Sequence, residues 1–331
     1  MKILFCFGTR PEWLKIKPII SKFDKKNYDI FFTGQHMDLI KDIDVDYSVT
    51  VGTNNNRLDD VITTCMIQFP NNFYDYVLVQ GDTATSFGCA LAAFNRKIKV
   101  VHLEAGLRTY DIDNPYPEES YRQMISRISH INLCPTKKSL KNLKRENNFG
   151  ESFVVGNTIL DSLVHLKSEV NYQNKVLITL HRRENHKIIK SWFEEINKVA
   201  EEYKELEFVL PLHPNPEIQK NKEVLSDRIK TIDPLPHKNL LDILKSCKFV
   251  ITDSGGIQEE ASFFNKKTIV CRKLTERPEG ISTGHLIMCE DPRYLIKIVK
   301  KINKNYKINK KCPFGDGTSA DKIIKILNKK W

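Results

Sequence analysis

The sequence lacks the features that would place it in several common protein classes. Its apolar runs are all far shorter than a membrane-spanning helix requires. The first residues, Met1–Gly8, lack the order of charged, apolar and small residues that marks a signal peptide. The eight cysteines form no CxxC pair and no Cys/His cluster at metal-ligand spacing. We therefore expect a cytoplasmic protein with reduced, mostly buried thiols and no bound metal.

Patterns typical of nucleotide and nucleic-acid binding are also missing. The chain has no GxxxxGKS or GxxxxGKT phosphate loop, no GxGxxG fingerprint and no HExxH, which argues against a P-loop NTPase or a typical NAD enzyme. Its formal charge is +11, but the lysines concentrate in predicted surface helices without the interleaved aromatics of a single-strand binder. This pattern favours a solvated surface, and a basic surface also suits an anionic small molecule.

What the chain does contain is an alternation of apolar strands and helical segments. The predicted strands are 2–7, 28–33, 76–80, 99–103, 131–134 and 153–155, then 176–180, 207–210, 249–252 and 267–271. Such alternation predicts parallel sheets with helices on both faces. A polar stretch at 166–175 predicts a linker, and 331 residues suffice for two domains. We therefore predict two Rossmann-like, doubly wound α/β domains facing a cleft.

One stretch, residues 249–261, predicts a strand, a tight turn and a helix start. The unpaired N–H groups and the dipole of a helix N-terminus favour an anion, and Gly255 and Gly256 would let a phosphate approach the backbone. The alternative is an ordinary turn in which Ser254 only caps the helix.

Acidic residues stand where several strands of the first half end. Asp82 and Glu104 follow neighbouring strands, and Glu118 lies in a proline-rich loop. Carboxylates clustered in a partly dry cleft would have the shifted pKa values that acid–base catalysis needs. Glu119 is better explained as a helix cap or a surface ion pair.

Basic residues follow strands in both halves. His181 and Arg182 end one strand and Arg277 follows another, which suits a diphosphate, and Arg10 and Lys15 add charge from the first half. Glu260 could accept hydrogen bonds from ribose hydroxyls or simply favour the helix dipole. The residues indicate an enzyme acting on a phosphorylated or nucleotide-linked metabolite, without defining the reaction.

Ten ordered motifs give the chain a resemblance to a known family. It resembles the non-hydrolysing UDP-N-acetylglucosamine 2-epimerases over nearly its whole length. The matching motifs are Gly8–Glu12 with Lys15, Thr33–His36, Gly81–Thr83, His102–Thr109, Pro117–Glu119, Gly156–Thr158, His181–Asn185, His213–Pro216, Thr252–Ala261 and Thr275–Glu279.

The resemblance implies a fold and a reaction. The fold would be of the GT-B type, with domains at 1–168 and 174–312 and a last segment, 313–331, crossing back to the first domain. The reaction would invert C2 of UDP-GlcNAc to give UDP-ManNAc, through elimination of UDP to 2-acetamidoglucal and re-addition. It would need no NAD, metal or other cofactor. The family also implies a homodimer and a role in making cell-surface polysaccharide precursors.

The resemblance also implies roles for individual residues. Asp82, Glu104 and Glu118 match the catalytic carboxylates, and His181 is placed with them as well as with the diphosphate contacts. The positions that match substrate contacts are Arg10, Lys15, His36, Arg122, Arg182, His213, Ser254, Gly255, Gly256, Glu260 and Arg277, with Glu260 on the ribose.

The chain departs from the family pattern at a few positions. Met37 and Asp38 follow His36 where an arginine is usual, and Cys65 stands where relatives often carry arginine. In bacterial relatives these positions belong to a pocket that binds a second UDP-GlcNAc as an activator, so we expect that activation to be weakened or lost here. Tyr121 replaces a common asparagine, which leaves another UDP-2-acetamido sugar open as the substrate.

Competing functions come from three classes. A hydrolysing epimerase would release ManNAc and UDP, and the Gly8–Glu12 motif favours the non-hydrolysing branch. A glycosyltransferase shares the fold but does not need the three carboxylates. A nucleic-acid-binding or sugar-nucleotide-sensing protein would leave them unexplained.

Overall fold

The chain forms two compact units. The computed structural model describes residues 1–35, 43–52 and 56–330. The first unit consists of Met1–Ser162 and the segment from Gly315 onward, and the second unit is Leu163–Phe314. Each unit contains one parallel sheet.

In the described part of the first unit, the sheet has seven strands. They are β1 Ile3–Phe7, β2 Tyr28–Phe32, β3 Tyr47–Ser48, β4 Tyr76–Gln80, β5 Lys99–Leu103, β6 Ile131–Cys134 and β7 Glu151–Val154. Their order across the sheet is β3-β2-β1-β4-β5-β6-β7, and each neighbouring pair is parallel.

The sheet of the second unit has six strands. They are β8 Lys175–Thr179, β9 Glu207–Pro211, β10 Ile229–Ile232, β11 Phe249–Thr252, β12 Lys267–Val270 and β13 Leu286–Met288. Their order is β10-β9-β8-β11-β12-β13, again with parallel neighbours.

Helices connect most of these strands. The α-helices are α1 Arg10–Ile20, α2 Arg57–Ile67, α3 Ala84–Asn95, α4 Glu118–Ile128, α5 Lys137–Arg145, α6 Ile189–Glu202, α7 Pro216–Gln219, α8 His237–Ser246, α9 Gly255–Phe263, α10 Pro278–Ser282, α11 Leu295–Lys304 and α12 Ser319–Lys330. Among the described residues, the 3₁₀ segments are Lys25–Asn27, Thr158–Glu169, Arg183–Ile188, Lys222–Val224 and Pro292–Tyr294.

The first sheet is covered on both faces because its strands are apolar on both sides. In β1, Phe5 and Phe7 belong to a core with α1 and α12, whereas Leu4 and Cys6 belong to a core with α2, α3 and α4. Alternate side chains of a strand point to opposite faces, so a strand buried on both faces reads as a continuous apolar run. In the second unit, one apolar core joins β8, β9 and β11 to α6 and α11.

The predicted fold class is confirmed, with two parallel Rossmann-like sheets. The predicted strands agree with the observed ones to within one or two residues, but β3, β10 and β13 were not predicted. All three are short strands at a sheet edge and are only partly buried, so they lack the long apolar run that marks a central strand. The predicted linker at 166–175 begins within the 3₁₀ segment Thr158–Glu169.

Seven of the eight cysteines are buried, which agrees with their predicted packing role. Within residues 1–35, 43–52 and 56–330, no helix has both the length and the apolar character needed to cross a bilayer.

Candidate active site

In each sheet the strand order reverses at one place, between β1 and β4 in the first unit and between β8 and β11 in the second. In open parallel sheets, ligands bind beyond the carboxyl ends of the strands at such reversal points. The predicted site residues Arg10, Asp82, His181 and Ser254 closely follow these four strands. The topology therefore gathers sequence-predicted residues at the ligand-binding edge of each sheet.

Glu12 ties together the two loops at the first reversal point. Its buried carboxylate accepts hydrogen bonds from the backbone N–H of Gly8 and Thr9, at 3.1 and 2.7 Å. It also accepts from the hydroxyls of Thr83, at 2.7 Å, and Ser86, at 2.9 Å. Burial raises the pKa of Glu12, and these donors oppose the rise. The loop after β1 is thereby fixed to the loop after β4.

Glu104 sits just beyond β5 in a constrained conformation. Its φ of 67° lies in the left-handed region, which a non-glycine residue adopts only when surrounding contacts hold it there. Its carboxylate is paired with Lys15 Nζ at 2.6 Å and accepts hydrogen bonds from the amides of Gln80 and Asn157. Lys15, Glu104 and Asn157 line a small hollow in the first unit. The carboxylate is thus oriented by one cation and two amides.

Arg122 connects Asp82 to the start of α4. Its Nη2 lies 2.7 Å from Asp82 Oδ2, and its Nε donates to the backbone oxygen of Glu118 at 3.3 Å. The guanidinium also lies 3.4 Å from Glu119 Oε2. Because Arg122 is only 3% exposed, its charge is held in place by these contacts. The structure therefore associates Asp82 with the helix turn that carries Glu118.

Glu119 makes the contacts of a structural residue. It is fully buried and accepts hydrogen bonds from the backbone N–H of Thr109 and Tyr110 and from the Gln123 amide, at 3.0, 3.1 and 2.8 Å. The structural interpretation made from the sequence agrees with these contacts, although the residue is in the interior rather than at the surface. It anchors the loop that precedes α4.

In the second unit, Asp253 has the organising role. This fully buried carboxylate accepts hydrogen bonds from the backbone N–H groups of His181 and Arg182 at 3.0 and 2.9 Å. It also accepts from the Asn185 side-chain amide at 2.9 Å. The residue that follows β11 therefore shapes the loop that follows β8.

His181 is held in a cluster of histidines. Its ring stacks on His213 with 5.2 Å between the centroids, and its backbone oxygen lies 3.1 Å from His186 Nε2. Burial lowers the pKa of His181, the Asp253 carboxylate opposes this, and Arg182, His213 and His186 lower it further. Burial likewise lowers the pKa of His213. Both imidazoles are consequently neutral at pH values near 7.

The helix start at Ser254 is open to a ligand. Ser254 occupies the N-cap position of α9, yet its side chain makes no capping hydrogen bond to any described residue. A Cβ added at Gly255 would meet Arg277 Nη1 at 2.7 Å, whereas one at Gly256 would meet no atom within 4 Å. Arg277 therefore packs behind the turn while Gly256 faces open space, and the N–H groups of the first helical turn remain suited to an anion.

Arg277 belongs to a buried charge network. Its Nε donates to Glu259 Oε1 at 2.7 Å, and its Nη1 is paired with Glu276. Glu276 also pairs with Arg272 at 3.1 Å. Since Arg277 is 5% exposed, these acids determine where its guanidinium lies against the Gly255 turn.

Four further predicted residues have different surroundings. Arg10 is exposed at the first position of α1. Arg182 is half-buried, and its Nε has no hydrogen-bond partner in the described part of the chain. Glu260 is 4% exposed, and its Oε1 lies 2.7 Å from His237 Nε2. His36 falls outside the described residues.

Comparison with known sequences identifies the family. A family model described as UDP-N-acetylglucosamine 2-epimerase matches residues 20–328. The chain belongs to this epimerase family. The resemblance inferred from the ten motifs is thereby confirmed.

Relatives within the epimerase family match the chain end to end. The UDP-N-acetylglucosamine 2-epimerase of Campylobacter jejuni is 35% identical, over 99% of this chain and 97% of its own length. The Neisseria meningitidis enzyme, crystallised with UDP-GlcNAc, superposes with a TM-score of 0.90 at 31% identity. The superposition covers 99% of this chain and 100% of the Neisseria chain. The Methanocaldococcus jannaschii enzyme, solved with UDP-GlcNAc and UDP, gives 0.85 at 31% identity with the same coverage. The predicted homodimer stays a prediction.

The departure from the family pattern at Cys65 lies in the interior. Cys65 is fully buried in α2, beside Gly88 of α3 and in one core cluster with Cys89. Met37 and Asp38 fall outside the described residues. The expected loss of activation by a second UDP-GlcNAc therefore stays a prediction.

Sequence reasoning missed several residues that organise the candidate site. Thr9 and Glu12 have the spacing of a capping box, which could have shown that Glu12 binds the preceding loop. Asp253 directly follows a strand, a position that could have marked it. No local pattern links His237 to Glu260, because they are 23 residues apart.

His102 supports the turn before Asp82 and makes the first unit sensitive to acid. It is fully buried, its Nε2–H donates to the Gly81 carbonyl at 2.8 Å, and burial lowers its pKa to about 4. The unfolded chain takes up this proton near an ordinary pKa of about 6.5, whereas the folded chain does so only near 4. The resulting stability is complete above about pH 6.5 and is lost as the pH falls towards 4, by about 3 kcal/mol in all.

We expect His102→Gln to remove this pH dependence. The stability difference between the wild type and the variant should shrink by about 3 kcal/mol between pH 6.5 and pH 4. Urea unfolding followed by hydrogen exchange in peptides from β4 and β5 reports on the first unit. The exposed His165, changed to glutamine, provides the control. Parallel pH curves for the wild type and His102→Gln would contradict the assignment.

Proposed function

We propose that this chain is a non-hydrolysing UDP-N-acetylglucosamine 2-epimerase that interconverts UDP-GlcNAc and UDP-ManNAc. The observation that carries the proposal is the pair of ordered carboxylates beyond the adjacent strands β4 and β5, Asp82 with Arg122 and Glu104 with Lys15. Inversion at C2 needs such groups, because a proton must leave one face of that carbon and another must arrive at the opposite face. The product would serve as a precursor of cell-surface polysaccharide.

The proposed reaction has two balanced steps. A base removes the C2 proton as the C1–oxygen bond breaks, and the electron pair of that bond leaves with UDP in an anti elimination. The product of this step is 2-acetamidoglucal, with a double bond between C1 and C2. UDP then re-adds through its phosphate oxygen at C1 in a syn addition, in which the new proton reaches C2 on the same face as UDP. That face is opposite to the one from which the first proton was removed, so C2 is inverted. No cofactor takes part.

The carboxylates of the first unit supply the proton transfers in this proposal. The Lys15 ammonium group lies 2.6 Å from Glu104, and its positive charge stabilises the negative carboxylate. Asp82 lies 2.7 Å from the Arg122 guanidinium, which orients its carboxylate. Glu118 opens α4, where the helix dipole favours a negative charge. Which of the three donates and which accepts depends on the face of the sugar that each one meets.

The second unit holds the leaving group. The Ser254–Gly256 helix start supplies N–H donors to the diphosphate of UDP, with Gly256 leaving room for close approach. His181 and Arg182 follow β8, and His213 follows β9. The two neutral imidazoles and the Arg182 guanidinium complete the diphosphate contacts. UDP therefore stays bound between elimination and re-addition.

Incubation with UDP-GlcNAc in D2O tests this proposal. We expect deuterium to enter at C2 and the reaction to reach an equilibrium of two UDP-sugars, both of which are measured by NMR. Stoichiometric free UDP with ManNAc would instead indicate a hydrolysing epimerase. If UDP-GlcNAc does not react but another UDP-2-acetamido sugar exchanges its C2 proton, that sugar would be the substrate instead. The absence of exchange in any UDP-sugar would overturn the proposal.

A further inference from the structure

Glu260 has a buried environment that a helix dipole does not explain. It lies in the second turn of α9 and is 4% exposed, beyond the first turn where the dipole acts most strongly. Its Oε1 is 2.7 Å from His237 Nε2. Its Oε2 is buried and has no hydrogen-bond partner among the residues described. A buried carboxylate oxygen needs donors, so this atom indicates a ligand that supplies them.

The position of Glu260 specifies which part of a ligand it meets. Gly256 and Glu260 are four residues apart and therefore lie on one face of α9, separated by a rise of about 6 Å. Gly256 borders open space at the helix start, where a diphosphate would bind. A hydroxyl-bearing sugar attached to that diphosphate would extend along the same face to Glu260. This step rests on the proposed function, which supplies UDP as the ligand.

His237 is the residue that sets the carboxylate. It is the first residue of α8, on a different element from Glu260, and its side chain is 20% exposed. Its Nε2–H holds Oε1 and so fixes the plane of the carboxylate, which leaves the lone pairs of Oε2 in a set direction. Without that donor the carboxylate can rotate, and its hydrogen bonds to a ligand are no longer preorganised.

We propose that His237 is a positioning residue for ribose recognition: by holding Glu260 Oε1 it directs Oε2 to accept hydrogen bonds from the ribose hydroxyls of a bound ribonucleoside diphosphate. His237 itself does not touch the ligand. The consequence is a preference for a ribonucleotide over its deoxy analogues, since only the ribose supplies the donor that the buried oxygen lacks.

Binding of UDP, 2′-deoxy-UDP and 3′-deoxy-UDP, measured by titration calorimetry on the full chain, tests this proposal. We expect the wild type to lose about tenfold in affinity with at least one deoxy analogue. His237→Ala should weaken UDP by about tenfold while hardly changing that analogue, so that the preference disappears. His237→Gln, whose amide can donate to the same carboxylate oxygen, should restore most of the preference. His165→Ala, an exposed histidine of the same unit, is the control and should match the wild type.

Each other result leads to a definite conclusion. Equal weakening of UDP and both analogues in His237→Ala would show a purely structural role and overturn the proposal, as would a wild type that does not distinguish the three ligands. If His237→Ala does not fold, the two amide variants replace it. Loss of the ribose preference in His237→Asn, which has the shorter amide, together with its retention in His237→Gln would support the proposal. A wild type that binds no UDP would refute the proposed function itself. A wild type that binds UDP with no effect of His237 would refute only this inference.

Discussion

Glu104→Gln is expected to slow deuterium exchange at C2 of UDP-GlcNAc by about 10² to 10⁴-fold, the usual contribution of a general acid or base. The amide retains the shape of the carboxylate but cannot take a proton at neutral pH. UDP affinity should stay within about twofold of the wild type, because the proposed diphosphate donors belong to the second unit. NMR exchange rates and calorimetric UDP binding measure the two effects separately.

The Glu104→Gln result needs a stability control because Lys15 loses its counter-charge. Removing one partner of a buried ion pair can cost about 3–5 kcal/mol. The double variant Lys15→Met/Glu104→Gln removes both charges and should recover part of this stability without recovering exchange. Glu151→Gln, at the amino ends of the strands and thus at the opposite edge of the same sheet, should leave the rate unchanged. Normal exchange in a folded Glu104→Gln protein would remove Glu104 from the catalytic set.

Gly256→Ala is expected to separate stability from binding. The added Cβ would meet no protein atom within 4 Å, and the backbone there is outside the left-handed region. The substitution should therefore stabilise the second unit by about 0.4–1 kcal/mol, because alanine has fewer unfolded conformations to lose. The same methyl group occupies the space through which a phosphate approaches the helix N–H groups. Loss of one charge-assisted hydrogen bond, worth about 1.5–3 kcal/mol, should weaken UDP binding about 10- to 100-fold.

Gly255→Ala serves as the comparison for this prediction. Its Cβ would meet Arg277 Nη1 at 2.7 Å, so that the guanidinium must move and the buried charge network is disturbed. This variant should lose both stability and UDP affinity. Thermal unfolding and calorimetry on the two variants distinguish the cases. Unchanged UDP affinity in Gly256→Ala would place the diphosphate elsewhere.

The fold class could be predicted because the central strands are apolar on both faces. Strands such as β4 and β11 are fully buried, so their sequences form short continuous apolar runs that end at glycine or polar residues. The short strands β3, β10 and β13 were missed since partial burial gives no such run. Strand order across each sheet was also beyond local reasoning, because it depends on pairing between distant segments.

The candidate site shows the same division. Asp82, Glu104 and the Ser254–Gly256 turn could be found because each follows a strand, and parallel strands bring their carboxyl ends to one edge. The contacts of these residues could not be found in this way. Arg122 reaches Asp82 from α4, and Asp253 binds the backbone of His181 from 72 residues away.

The local order of residues is thus sufficient for the alternation of strands and helices, the glycine turn and the kinds of charge at the strand ends, because backbone preferences act between near neighbours. The left-handed backbone of Glu104, the neutral state of His102 and the pairing of Glu260 with His237 arise only in the folded chain. Burial and Coulomb interactions depend on distance in space, which packing of distant segments sets. The same chemical groups acquire their proposed functions through those distances.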